Sequence, residues 1–228
     1  MSVLDKGGLF VTGTDTDVGK TVVTGLLARM FKEDGLDIGI WKPLQSGHEL
    51  THPDGDVMRL RKMASLTDDP AVMCLRAAAE PLAPSLALSR QGIVVTRQDL
   101  SDHLAAYKRL RANILVEGAG GLCVPLTADT TVADLACQIG WPLVIVARPS
   151  LGTVNHTSLT VSYARSRGLS VLGVVISGMP AGDDRIEWAN VPMIEELAEC
   201  PVLAVLPRFD QGTSTAERVQ ILRREWER

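Results

Sequence analysis

Residues 9–21 read Leu9-Phe10-Val11-Thr12-Gly13-Thr14-Asp15-Thr16-Asp17-Val18-Gly19-Lys20-Thr21, an apolar run that breaks into a polar loop closed by Gly-Lys-Thr. Val22, Val23, Leu26, Leu27 and Met30 follow at helical spacing, so the segment is a strand, a glycine-bounded loop and a helix. Glycines let the backbone turn tightly and aim successive N–H groups inward. The helix N-terminus adds partial positive charge where a polyphosphate needs it. Lys20 is placed to bridge the terminal phosphates, and the Thr21 hydroxyl to ligate a Mg2+ ion spanning two phosphate oxygens. Asp17, Val18, Gly19 and Val22 complete the expected nucleotide cradle. Five residues rather than four separate Gly13 from Gly19, and Thr14 stands where the ordinary pattern has glycine. The loop is a lengthened P-loop: strong as a signal for nucleotide, silent on the reaction.

The rest of the chain repeats that first unit. Apolar runs at Leu9–Thr12, Ile38–Trp41, Ile114–Val116, Leu143–Ala147, Val171–Ile176 and Val202–Leu206 are nearly continuous in valine, isoleucine and leucine, as strands buried on both faces are. Helical stretches near 20–33, 56–66, 97–110, 131–139, 153–167, 185–199 and 214–226 supply the crossovers that parallel pairing requires. The expected fold is α/β, a doubly wound, mainly parallel sheet flanked by helices, of the P-loop NTPase type. The turn-rich stretches 43–55 and 68–96 read as loops within the alternation, and with no linker or repeat to divide it the chain is expected to form one domain over residues 1–228.

Composition narrows the partners. Lys+Arg 23 against Asp+Glu 27 gives a net charge of −4 with no basic stripe, which argues against nucleic acid and against an anionic membrane surface. The longest apolar stretch, Trp141 to Ala147, is too short to cross a bilayer, and the N-terminus has no apolar signal core, so a soluble, cytoplasmic protein is expected. Cys74, Cys123, Cys137 and Cys200 show no CxxC spacing and read as small buried hydrophobes. His48 and His52 read as surface residues rather than zinc ligands, having no cysteine or third histidine nearby.

In an open parallel sheet, ligands sit beyond the C-terminal strand ends. Chemistry-bearing residues fall there. Trp41-Lys42-Pro43-Leu44-Gln45-Ser46-Gly47 puts a second lysine opposite Lys20, suited to charge developing on a phosphoryl group. Val116-Glu117-Gly118-Ala119-Gly120-Gly121 ends a buried strand on a carboxylate, a candidate metal ligand beside Thr21. Asp56, opening a helix, is the best third ligand, with Asp54 next and a helix N-cap as the alternative role for Asp56. Leu151-Gly152-Thr153-Val154-Asn155-His156 opens another helix whose free N–H groups suit a substrate carboxylate, while His156 reads either as a hydrogen bonder at the helix start or as a site residue.

Taken in order on successive strand ends, GTDTDVGKT, WKPLQSG, VEGAGG and LGTVNH resemble the dethiobiotin synthetases over about residues 9–180. The resemblance implies about seven strands, a homodimer with active sites at its interface, and the penultimate step of biotin synthesis. It also implies the reaction: 7,8-diaminononanoate takes up CO2 as a carbamate, ATP phosphorylates the carbamate, and the second amine closes the ureido ring with release of ADP and phosphate. By motif, Lys42, Lys20 and Thr16 are catalytic; Thr16, Ser46 and Glu117 meet the diamine or carbamate; Thr21, Asp56 and Glu117 hold Mg2+. Leu151, Gly152 and Asn155, given across the dimer, hold the substrate's far carboxylate, and Gly118, Ala119 and Gly120 border the nucleotide.

Later in the chain the resemblance weakens. Many family members read adenine with an asparagine after the sixth strand, where this sequence has Ser177-Gly178. A hydroxyl cannot reproduce an amide's paired donor and acceptor, so base selectivity is expected to be relaxed or shifted. Ser177, Gly178, Pro207, Arg208 and Phe209 are the base-site candidates by position, and Trp188 stands where the family often has a tyrosine. A partition or cell-division-site ATPase is the main rival. It would carry a lysine early in the loop, and none lies between Gly13 and Gly19. A small-molecule kinase or a non-catalytic nucleotide-binding module would use the same phosphate cradle.

Overall fold

A computed structural model describes residues 4, 6–182 and 185–227. In chain order the elements are β1 (Gly8–Gly13), α1 (Lys20–Glu33), β2 (Ile38–Trp41), β3 (Leu44–Ser46), α2 (Asp56–Met63), α3 (Pro70–Met73), β4 (Arg76–Ala78), α4 (Pro84–Arg90), α5 (Arg97–Tyr107), β5 (Asn113–Glu117), α6 (Val132–Ile139), β6 (Leu143–Ala147), α7 (Thr153–Ser166), β7 (Val171–Met179), a 3₁₀ turn (Ile186–Ala189), α8 (Asn190–Ala198), β8 (Val202–Pro207) and α9 (Thr215–Trp226).

Among the described residues the main sheet is six-stranded and parallel, in the order β2-β5-β1-β6-β7-β8, rather than seven-stranded. The chain winds from β1 to one edge, returns through β5, then crosses to the other side, so β1 lies at the switch point where such sheets bind ligands. Pairing of Val11 with Glu117, Gly13 with Val146 and Trp41 with Val116 brings the ends of β1, β2, β5 and β6 to one rim. Every residue of β1, β2 and β6 is buried, which is why their sequences are unbroken apolar runs.

Period-2 alternation divides the interior. Val144, Val146 and Val175 join the larger core with α1 and α9, while Ile145, Ala147, Val174 and Ile176 meet Val161 and Ile194 beneath α7 and α8. Two stretches expected to be loops carry structure. Leu44–Ser46 and Arg76–Ala78 pair as a separate two-stranded parallel sheet, and α3 and α4 open on Pro70 and Pro84. Strands of three residues are too short to display a period. The expected helix at 185–199 divides into the 3₁₀ turn and α8.

Two kinds of helix start stand out. Capping boxes at Thr96/Asp99, Thr131/Asp134 and Ser214/Glu217 satisfy the first N–H groups of α5, α6 and α9. Helices α1 and α7 begin instead on Gly19 and Gly152, both left-handed and neither offering a side-chain cap. At α1 the first N–H groups stay available to an anion, while at α7 the first, Thr153 N, donates to Ser150 O at 3.1 Å.

Candidate active site

A crevice of about 920 Å³ opens at the C-terminal rim of β1, β2 and β5. Thr16, Asp17, Gly19, Lys20, Thr21, Val22, Lys42, Ser46, Asp56, Glu117, Ala119 and Gly120 all line it, so four separate stretches of sequence converge on one space.

The loop after β1 is shaped by its backbone. Gly19 has φ 100, and a Cβ there would lie 2.5 Å from Ser177 Oγ, so this position needs glycine for both conformation and space. Asp17 takes φ 56, a left-handed geometry that aspartate tolerates better than most side chains. Val18 is buried and turns towards Gly13, so it serves the cradle through its backbone. Lys20 arches over the loop to Asp15 O at 2.7 Å. Burial, then the charge of Lys42, lowers its pKa to about 8.

Behind the loop lies a connected ionic cluster. Lys42 Nζ meets Glu117 Oε1 at 2.7 Å and Asp56 Oδ2 at 2.8 Å, and donates to Gly118 O at 3.2 Å. Burial opposes the lysine's charge, but Glu117 and Asp56 outweigh it and raise its pKa. For Asp56 burial again acts against the charged form, and Lys42 prevails, holding the carboxyl below its ordinary value. Thr21 Oγ1 lies 3.2 Å from Asp56 Oδ1 and 3.1 Å from Glu117 Oε1. A hydroxyl has one proton for two such acceptors and keeps its lone pairs. Glu117 is fully buried, and among the described residues its Oε2 has no hydrogen-bond partner.

This donor set fits a divalent cation. Mg2+ takes hard oxygen ligands and keeps several waters, so a hydroxyl, two carboxylates and nucleotide phosphates suffice. The orphaned Glu117 Oε2 is the observation that calls for a positive partner. Among the described residues no three His, Cys, Asp or Glu side chains cluster as a self-contained metal cage.

Asp56 is the first residue of α2 and not its cap. The cap is Gly55, and it makes no side-chain bond. The carboxylate therefore reaches Thr21 and Lys42, whereas Asp54 is exposed at the crevice mouth. Gln45, a residue that the sequence pattern does not single out, fixes this arrangement. Its Oε1 accepts from Val57 N at 2.8 Å and its Nε2 donates to His48 O and Glu49 O, tying the start of α2 to β3. Only its place inside WKPLQSG hints at it.

Other candidates stand apart from the crevice. Ser177 faces Gly19, and Gly178 (φ 89), near the end of β7, opens onto free space. Arg208 N bonds Met179 O, following Pro207, and Phe209 lies 5.1 Å beneath the Arg218 guanidinium. Leu151, Gly152 and Asn155 lie at the start of α7, outside this chain's own crevice lining. There Arg148, equally silent in the sequence, bridges Asp15 (3.7 Å) and His156 Nδ1 (3.1 Å), which gives His156 its hydrogen-bonding role. His48 and His52 stack with ring centroids 4.4 Å apart, and His48 joins the crevice lining. Cys74 and Cys200 are buried as expected; Cys123 and Cys137 are exposed, which corrects the reading of all four as core.

Comparison with known proteins finds relatives along nearly the whole chain. A family model described as an AAA domain matches residues 7–216. An ATP-dependent dethiobiotin synthetase BioD of Bacillus cereus is 46% identical over 212 residues, 93% of this chain and 87% of that protein. One from Bacillus thuringiensis is 47% identical over the same shares. Among solved structures, the cell division ATPase MinD of Pyrococcus furiosus matches with a TM-score of 0.57 at 16% identity, covering 97% of this chain and 98% of its own. A chain of the MinC:MinD cell division protein complex from Aquifex aeolicus matches with a TM-score of 0.62 at 11% identity, covering 96% and 93%. At such identities the likeness is one of fold.

Proposed function

The chain belongs to the ATP-dependent dethiobiotin synthetases, ligases of biotin biosynthesis, and we propose how its own residues divide that reaction. The observation that carries the assignment is the meeting of Lys20, Thr21, Lys42, Asp56 and Glu117 in one crevice at the sheet's switch point. An anionic carbamate must approach an anionic γ-phosphate, so the main task is to screen like charges and to stabilise those that spread in transfer.

Backbone N–H groups at the start of α1 and the Lys20 ammonium hold the terminal phosphates. Lys42 faces them from β2 and stabilises the transferring group. Thr16 and Ser46, both lining the crevice, orient the diamine and its carbamate from opposite sides, with Glu117 at the base. Thr21, Asp56 and Glu117 hold Mg2+, which when bound neutralises phosphate charge. The chemistry calls for no protein nucleophile, because the carbamate oxygen itself attacks phosphorus and the second amine later expels phosphate.

The far carboxylate of 7,8-diaminononanoate falls to Leu151, Gly152 and Asn155 of a second copy. Two features support a homodimer: these residues lie off their own chain's crevice, and apolar side chains on the α7–α8 side are exposed, with Leu151 97% and Ile186 84% accessible. Light scattering on the purified protein is expected to give twice the chain mass, and Leu159→Asp on exposed α7 surface to give the single mass. The six-stranded sheet running from residue 8 to residue 207 supports a single domain. The need for ATP and bicarbonate suits the cytoplasm.

Base selectivity is relaxed in this reading, because Ser177 turns to the P-loop and offers no amide to a base. Similar rates with ATP, CTP and GTP are expected; a strict ATP requirement would sink the point. The decisive assay measures phosphate release with Mg2+, bicarbonate and ATP, with and without 7,8-diaminononanoate, and identifies the product by mass spectrometry. Release coupled to a ring-closed product is expected, and hydrolysis indifferent to the diamine would overturn the assignment.

A further inference from the structure

An ammonium has three hydrogens, and Lys42 has all three committed inside the protein, to Glu117 Oε1, Asp56 Oδ2 and Gly118 O. A lysine held this way has no donor left for a phosphoryl oxygen or a carbamate. Its two carboxylate partners are also the acids that Thr21 touches, and Glu117 Oε1 is common to both contacts, so Lys42 and a metal ion draw on one pair of carboxylates and compete for that oxygen. Among the buried and half-buried charges of the crevice two ammonium groups, Lys20 and Lys42, balance two carboxylates, Asp56 and Glu117, while the exposed Asp17, Asp54 and Arg59 line its mouth. A bare divalent cation meets no net negative charge there, whereas one arriving with a triphosphate brings its own anion.

We propose that Lys42 is the resident counter-ion of the metal site, excluding bare divalent cations and yielding a carboxylate oxygen only when the cation arrives with nucleotide. The yielded contact frees one N–H of Lys42 to turn towards the reacting phosphoryl group. One ion pair replaces another, and no covalent bond changes. Glu117, with no exposure to water, keeps a positive partner throughout: the ammonium first, the metal afterwards. The lysine that stabilises transfer is thus released by the binding of the nucleotide it acts on. The inference rests on Thr21, Asp56 and Glu117 being the metal ligands.

The test is a Mn2+ titration followed by electron paramagnetic resonance at pH 7. Without nucleotide, Lys42→Met is expected to bind Mn2+ about 10-fold or more tightly than wild type, and Lys42→Arg, which keeps the charge, to remain weak. With a non-hydrolysable ATP analogue, wild type is expected to hold Mn2+ more tightly than Thr21→Val. Equal nucleotide-free affinities of wild type and Lys42→Met, with the Thr21 difference intact, would overturn the Lys42 inference and leave the metal site standing. No Thr21 difference would remove the metal site, and the inference with it. Should Lys42→Met not fold, thermal denaturation of wild type decides: Mn2+ alone is expected to move the midpoint by less than about 1 °C, and Mn2+ with the analogue by several degrees. A rise with Mn2+ alone matching that of the complex would refute the proposal.

Discussion

Strands β2 and β5 carry an ionic cluster at each end, and the two have nearly the same composition. At the N-terminal ends Arg111 meets Asp37 and Asp68, and the Tyr107 hydroxyl donates to Asp68. At the C-terminal ends Lys42 meets Asp56 and Glu117 beside the Thr21 hydroxyl. Each holds one base, two acids and a hydroxyl. The first is closed: the guanidinium fork reaches both carboxylates, Ala112 N serves Asp37, and Tyr107 Oη also accepts from Ile40 N. In the second a point charge takes one oxygen from each acid and leaves Glu117 Oε2 buried without a partner. A cluster that serves the fold satisfies its polar atoms, whereas one that serves a ligand keeps an atom unsatisfied until the ligand arrives.

The sharpest way to break this contrast is to remove the base from the open cluster. Lys42→Ala is expected to lower turnover by about 10²-fold or more while nucleotide binding, measured calorimetrically, is largely retained. Undiminished turnover would show that the C-terminal cluster is structural after all. The companion change, Asp68→Ala, is expected to do the reverse: a loss of about 3 kcal/mol in unfolding free energy by urea titration, with turnover per folded molecule unchanged. Burial acts against the Asp68 charge, but hydrogen bonds from Arg111 and Tyr107 prevail and hold its pKa below the ordinary carboxylate value. A depressed folded pKa gives stability that is present above the unfolded value near pH ~4 and lost as pH falls through the folded value. The stability gap between wild type and Asp68→Asn should therefore close below pH ~4 and stay open above it.

Lys20 sharpens the comparison from the open side. With its pKa lowered to about 8, the side chain is mostly neutral amine once the pH passes that value and must regain a proton to hold phosphate. Affinity for a non-hydrolysable nucleotide is expected to weaken above pH 8 by up to about tenfold per pH unit, and Lys20→Arg to flatten the profile. A level wild-type profile between pH 7 and pH 9 would mean that Lys20 is not the phosphate-binding cation.

The open cluster is legible in the sequence and the closed one is not. Lys42 and Glu117 stand at the ends of apolar runs, and Lys20 and Thr21 close the glycine-bounded loop after another, where a parallel sheet must place ligand chemistry, so local pattern suffices. Asp37, Asp68, Tyr107 and Arg111 belong to no local pattern; their meeting depends on contacts spanning 39 and 43 residues. Gln45 escapes notice for the same reason, since a glutamine in a three-residue strand gives no sign that it fastens the helix carrying Asp56. Helix boundaries are legible where capping boxes mark them, at 96, 131 and 214, and overextended at 64–66 and 108–110, where the chain leaves the helix without a proline or glycine signal.

The smallest change probes how far the two ends of β2 are independent. Among the described residues β2 is an edge strand that pairs with β5 alone, and Ile40 N donates to Tyr107 Oη at 3.2 Å. Tyr107→Phe keeps the buried ring but removes the acceptor for Ile40 N and the donor to Asp68 (2.6 Å). Arg111 still holds both oxygens of Asp68, so the acid stays compensated and the lasting deficit is one backbone N–H. The expected loss is about 1 kcal/mol, or roughly 2–4 °C in thermal midpoint for a chain of this size. Ile40 lies two residues from Lys42, and if the closed cluster serves the fold alone this loss should leave kcat and the nucleotide KM where they were. A fall in kcat with no loss of midpoint would mean that the edge of β2 transmits position to Lys42, and that the two clusters act as one device through a single strand.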